Sequence, residues 1–178
     1  MGAGSGFAGW LLLLLLLPAL SSCETRQCTE IGCSDGASLT LKTTAGTLPD
    51  GTYTLSFSVD GQPYTCSFTA PDGLPREPGR IGAASCDAGF RLNVLPELVC
   101  TEYRTGDAVS QSCTPVPDRW YFAATLEGTP AELTVAVERD GVALLDEHRT
   151  LAYRDEYPNG PECDPVCRQA SAALLLSD

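Results

Sequence analysis

Residues 51–70 read Gly51-Thr52-Tyr53-Thr54-Leu55-Ser56-Phe57-Ser58-Val59-Asp60-Gly61-Gln62-Pro63-Tyr64-Thr65-Cys66-Ser67-Phe68-Thr69-Ala70. In Thr52–Val59 the residues Tyr53, Leu55, Phe57 and Val59 alternate with Thr52, Thr54, Ser56 and Ser58. Apolar residues at period two put one face of an extended chain into a core and the other into water. Asp60-Gly61 follows, the strongest short hairpin signal, because both residues tolerate the positive φ of a type I′ turn. Tyr64–Ala70 then returns with Tyr64, Cys66, Phe68 and Ala70 inward and Thr65, Ser67 and Thr69 outward. Such a hairpin needs a second apolar layer to cover it.

The rest of the chain supplies that layer. Ala131–Arg139 alternates through Leu133, Val135 and Val137, then turns at Asp140-Gly141 into Val142–Leu145. Ala37–Thr44 alternates through Leu39 and Leu41. Phe90–Val94, Leu98–Tyr103 and Arg119–Leu126 are further strand candidates, and His148–Tyr153 continues from Val142 past a kink. The tail Arg168–Leu176 suits a helix or a strand. The strand reading, with Ala170, Ala172, Leu174 and Leu176 inward, fits the regular spacing of the other strands. Pro71–Gly82, with its three prolines, reads as a long loop. The expected fold class is all-β: a single antiparallel β-sandwich over 37–178.

Nine cysteines are present: Cys23, Cys28, Cys33, Cys66, Cys86, Cys100, Cys113, Cys163 and Cys167. Setting Cys23 aside leaves an even set, and eight cysteines allow 105 pairings. Locality selects one scheme. Bridges from Cys28 and Cys33 to Cys163 and Cys167 tie the two ends of the domain, while Cys66–Cys86 and Cys100–Cys113 close locally. Cys163-x-x-x-Cys167 has one spacer too many for a redox pair, and one histidine is too few for the common zinc patterns. No metal or cofactor site is expected.

Cys23 is set aside because of what precedes it. Leu11–Leu17 is an unbroken leucine run, closed by Pro18 and followed by Leu20-Ser21-Ser22-Cys23. An apolar run of this length, ending in small residues, reads as a cleaved export signal rather than a membrane span. The last four residues resemble the lipobox of bacterial lipoproteins, which implies a cut before Cys23 and lipidation of its thiol and new N-terminus. Met1–Gly6 departs from the pattern in having no Lys or Arg. The expected organisation is a signal peptide over 1–22, a lipidated tether over 23–36 and the sandwich beyond. Glu24 rather than Asp after the cysteine favours the outer over the inner membrane.

All charge lies beyond residue 22, at a net -12. A basic stripe for nucleic acid is missing, so none is expected as a partner. Asp35, Asp50, Asp60, Asp72, Asp140 and Asp164 sit at turn positions, where local backbone bonding explains them. His148, the single histidine, follows Asp146 and Glu147 and reads as a solvated strand residue. No nucleophile elbow, phosphate loop or dinucleotide fingerprint is present. Trp120 and Tyr121 must face opposite ways on a strand. One belongs to the core, and the other is a candidate ligand platform, with Tyr103, Tyr153 or Tyr157 as candidate companions.

Three stretches carry a wider resemblance: Leu48–Tyr53, Val137–Gly141 and Tyr157–Arg168. With the lipobox and Gly32-Cys33, they resemble uncharacterised cysteine-rich envelope lipoproteins of myxobacterial type. The Gly-Thr-Tyr strand start is similar to those of immunoglobulin-like and prealbumin-like sandwiches. The resemblance implies such a sandwich on a bacterial envelope and no particular activity. The function expected is therefore that of a lipid-anchored, non-catalytic structural or binding module, whose partner is an envelope protein or glycan. The alternative is a surface hydrolase acting on envelope polymers through paired carboxylates.

Overall fold

The computed structural model describes residues 28, 31–75, 80–106 and 108–177. Cys23, the lipobox and the export signal lie outside the described residues. The described chain is all-β. Its strands are β1 (Gly36–Thr43), β2 (Gly51–Val59), β3 (Gln62–Ala70), β4 (Gly82–Ala83), β5 (Ser85–Cys86), β6 (Leu92–Thr105), β7 (Ala108–Glu127), β8 (Glu132–Arg139), β9 (Val142–Thr150), β10 (Arg154–Glu156) and β11 (Cys167–Leu176). They form a five-stranded sheet, β5-β3-β2-β8-β9, and a six-stranded sheet, β10-β11-β1-β7-β6-β4.

The opening hairpin is the middle of the smaller sheet. β2 pairs with β3 on one side and with β8 on the other. Its inward residues Tyr53, Leu55 and Phe57 lie beside Leu133, Val135 and Val137 of β8, all at most 3% exposed. The larger sheet answers with Leu39 and Leu41 of β1, Leu92 and Val94 of β6, and Phe122 of β7. Each such side chain contributes about 1.5–3 kcal/mol by leaving water. Phe122 is the link between layers, its ring meeting Tyr53 at 5.6 Å and Phe68 at 5.5 Å, both edge-on. That geometry sets the positive ring edge against the negative face of its neighbour.

Both Asp-Gly turns have positive φ at the two central residues, 48° and 83° at Asp60-Gly61 and 52° and 79° at Asp140-Gly141. Each aspartate also reaches the other hairpin. Asp60 Oδ1 accepts from the Ala131 and Glu132 amides, both at 2.9 Å, where β8 begins. Asp140 Oδ1 accepts from the Thr52 amide at 2.9 Å, where β2 begins. Gly51 is required there, because its φ is 145° and a Cβ would run into the Asp140 carboxylate and the Arg139 side chain.

Several expectations from sequence are revised. The sheets are not wholly antiparallel, because β1 runs parallel to β11 from Gly36↔Gln169 to Thr43↔Leu176. Strand parity fixes which face is buried but not the direction of the partner. The tail is a strand, with Ala170, Leu174 and Leu176 buried. The kink before His148 is a bulge, since Leu145 pairs with Val137 and Ala143 with Glu138, leaving Leu144 over. Phe90–Val94 and Leu98–Tyr103 are not separate strands but lie along β6, with Phe90 and Arg91 just ahead of it. Arg119–Leu126 is only the end of the 20-residue β7.

Two predictions follow from these contacts. Asp60→Ala removes two charge-assisted bonds at an exposed turn, so it should cost about 1–2 kcal/mol and lower Tm by roughly 2–8 °C; an unchanged melt would refute the bridging role. Tyr53 is buried and donates to Pro49 O at 2.8 Å. Burial raises its pKa, against the lowering effect of Arg139. The folded protein therefore keeps a proton that the unfolded chain releases near pH 10. Stability from this group is complete below that pH and is lost as pH rises through the raised folded value. Urea midpoints of wild type should fall more steeply above about pH 10 than those of Tyr53→Phe, and parallel curves would contradict the assignment.

Candidate functional site

Three features stand apart from the core: a stapled strap at one pole, a ribbon projecting from the other, and a cleft at the strap pole. The strap comprises Cys28 and the segment Ile31–Asp35, which lies along the loop and first residues leading into β11. Cys28 bridges to Cys163 and Cys33 to Cys167, with Cα separations of 5.8 and 6.0 Å. Between the bridges, Asn159 Oδ1 accepts from the Ile31 amide and its Nδ2 donates to Ile31 O, both at 3.0 Å. Gln169 Nε2 donates to Ser34 O, and the Arg168 amide donates to Asp35 Oδ1 at 2.8 Å. Part of the stretch expected as a tether is thus bound to the far end of the chain. Cysteine locality in the sequence selects the pairs found here, including Cys66–Cys86 and Cys100–Cys113.

The ribbon is the outer half of β6 and β7. Their ladder is irregular beyond Pro96↔Trp120 and resumes at Leu98↔Pro115, so Glu97 alone faces Val116, Pro117, Asp118 and Arg119. Proline gives no ladder N–H, and Pro96, Pro115 and Pro117 crowd this joint. Asp118 takes a φ of 59°. The Glu97–Arg119 ion pair at 3.1 Å and the bond from the Trp120 amide to Gly46 O at 2.9 Å tie the joint to the sheet. Beyond it every residue of Leu98–Thr105 is exposed, as are the facing residues Ala108–Thr114. One face carries the Cys100–Cys113 bridge and the Glu102–Arg104 pair. The other carries Val99, Thr101, Tyr103, Thr105, Ser110, Ser112 and Thr114, with no charge.

The cleft has a volume of about 780 Å³ and is lined by Val59, Tyr64, Gly89, Phe90, Arg91, Asn93, Thr125, Leu126 and Glu127. Phe90 stacks on Phe57 at 4.7 Å and on Tyr64 at 5.0 Å. Sequence reading assigned Tyr64 and Phe90 to strands and gave the cleft no signal, because it arises where distant strands part.

The residues named from sequence do not gather in it. Trp120 packs against the core and Tyr121 is half-buried on the opposite face of β7. Tyr103 stands on the ribbon. Tyr153 and Tyr157 flank β10, at the far edge of the sheet from β6. Tyr153 packs on the core with the Arg168 guanidinium 5.5 Å from its ring centre. Its hydroxyl is buried without a partner, and burial raises its pKa.

His148 lies on the outer face of the smaller sheet. Its Nε2 is 2.7 Å from Glu132 Oε2 and its Nδ1 is 3.1 Å from Thr134 Oγ1. A hydroxyl, an imidazole and a carboxylate in series is the order of a nucleophilic relay. Here the side chains of His148 and Glu132 are 62% and 45% exposed. β8 is paired along both edges, so its amides are engaged and offer no oxyanion donors. Asp35, Asp60, Asp87 and Asp140 each accept a backbone amide from a different strand or its start, not the local bond expected from sequence, and so serve the fold. No three His, Cys, Asp or Glu side chains gather as metal ligands among the described residues.

The described ribbon residues are exposed on both faces, so the ribbon's bridge should matter locally rather than globally. Replacing Cys100 and Cys113 together by serine should leave Tm nearly unchanged while speeding ribbon amide exchange and tryptic cleavage at Arg104. A large fall in Tm would place the ribbon in the cooperative unit.

No protein-family model, no curated protein and no solved structure matches this chain.

Proposed function

We propose that this chain is a lipid-anchored, non-catalytic binding or structural module of a bacterial envelope, built on an immunoglobulin-like or prealbumin-like sandwich. The anchor is an acylated Cys23, in the outer rather than the inner membrane. A cysteine with more than one acyl chain holds a protein on a bilayer without any spanning helix. Four bridges suit an oxidising, extracytoplasmic compartment.

One observation carries the reading: the strap and the ribbon tip occupy opposite poles. β1 starts at Gly36, beside Glu127 at the end of β7. From Glu127 the chain of β7 runs back to Ala108, roughly 60 Å of strand at 3.3 Å per residue. Cys28 is held at the strap pole, so a short segment from Cys23 delivers the lipid there. The ribbon then stands at the membrane-distal end, with its uncharged hydroxyl-rich face open to an envelope protein or glycan.

Cys23→Ala should move the protein from the membrane to the soluble fraction and abolish fatty-acid labelling. Labelling equal to wild type would overturn the anchor. With the anchor intact, protease added from the side of the partner should cut the ribbon tip before any other site. Prior cleavage at the strap would overturn the orientation.

A further inference from the structure

We propose that the cleft at the strap pole binds a neutral oligosaccharide of di- or trisaccharide size. The site is separate from the ribbon and does not depend on acylation of Cys23.

The cleft exists because two strands part. The β6–β7 ladder begins at Leu92↔Ala124. Upstream of Leu92, Phe90 and Arg91 leave the ladder, while Thr125, Leu126 and Glu127 stay paired with β1. The gap joins the outer face of the larger sheet to the end of the core. Inward residues Val59, Tyr64, Phe90 and Leu126 line one part of it, and outward residues Arg91, Asn93, Thr125 and Glu127 the other.

The two linings complement the two aspects of a sugar. A pyranose has an apolar C–H face and a rim of hydroxyls. Tyr64 and Phe90 supply rings for the face, through dispersion and the aromatic quadrupole. They are held by stacking, so little side-chain freedom is lost on binding. For the rim, Arg91 only donates, Glu127 only accepts, and Asn93 and Thr125 do both. Vicinal hydroxyls, each a donor and an acceptor, need such a mixture. The single positive and single negative charge balance, which disfavours an anionic or cationic ligand.

The polar groups are also unengaged. Among the described residues, the side chains of Arg91, Asn93, Thr125 and Glu127 bond to no other part of the protein. Asn93 is half-buried, yet its amide stays open to the cleft rather than sealed in the core. The aspartates at the hairpin turns show the contrast, since each is already bonded to a neighbouring strand. The volume lies within the range of sites for small ligands rather than polymers.

The test is titration of the full-length, disulfide-bonded chain with cellotriose, tri-N-acetylchitotriose and the dipeptide Ala-Ala, followed by calorimetry and aromatic NMR. At least one trisaccharide should bind saturably at millimolar concentration or below and shift the Tyr64 and Phe90 ring signals. Asn93→Ala and Glu127→Gln should each weaken binding about tenfold, the loss of one hydrogen bond, without changing Tm. Arg91→Ala, on the exposed rim, replaces Asn93→Ala if that variant unfolds. The proposal fails if neither trisaccharide moves these rings, if Ala-Ala alone binds, or if the variants bind as wild type does. Release from the membrane in Cys23→Ala alters none of these outcomes, so anchor and cleft stand or fall separately.

Discussion

The pairing of β2 with β8 is the constraint on which the rest depends. It joins two hairpins through their inner strands and aligns six core side chains in one register, with Leu55 opposite Val137 and Phe57 opposite Val135. A slip of one residue between the two strands would turn the three of one strand to water. Asp60 and Asp140 guard against that slip from opposite ends, each holding the first amides of the other hairpin. The larger sheet is placed by what this surface offers. Phe122 sits where Tyr53 and Phe68 leave room for a ring edge.

Two departures from regular pairing shape the two poles of the domain. At one pole β6 and β7 part beyond Leu92 and Ala124, which opens the cleft. Toward the other pole, the prolines around Glu97 interrupt the ladder and let the same two strands leave the sheet as a ribbon. One pair of strands therefore serves the core in its middle and departs from regular pairing toward both ends. The strap makes that polarity usable, because it fixes the start of the domain at the cleft pole.

Much of the fold was readable from residues. Alternation in 52–59, 64–70 and 131–139 is written by burial of one face, and both Asp-Gly turns fall where φ is positive. Cysteine locality matched the observed bridges because neighbours in sequence are neighbours across a hairpin or along the strap. The outer half of β7 was invisible for a physical reason: Ala108–Thr114 buries neither face, so no pattern marks it. The joint at Pro96, Pro115 and Pro117 lies between the segments 90–94, 98–103 and 119–126, where no alternating run marks the strands as continuous. The parallel partner of β1 was hidden because strand composition carries no sign of direction. Tyr64 and Phe90 looked like ordinary core residues, and only the parting of β6 and β7 sets them in a cleft. Trp120, the most conspicuous aromatic, was explained by packing.

The placement of β1 has a bearing on how the chain acquires its structure. β1 precedes every other described strand in the chain, yet its partners are β7 and β11, more than 80 and 130 residues later. The hairpin of β2 and β3 can close at once, and β8 with β9 soon after. β1 can pair with β7 once that strand is made, but its parallel partner β11, like the partners of Cys28 and Cys33, comes later. Contacts of such long range form slowly. When β9 completes the smaller sheet, β1, β4, β6 and β7 of the larger sheet are already made, and β10 and β11 follow. The edge that joins β1 to β11 is therefore the last part of the larger sheet to close.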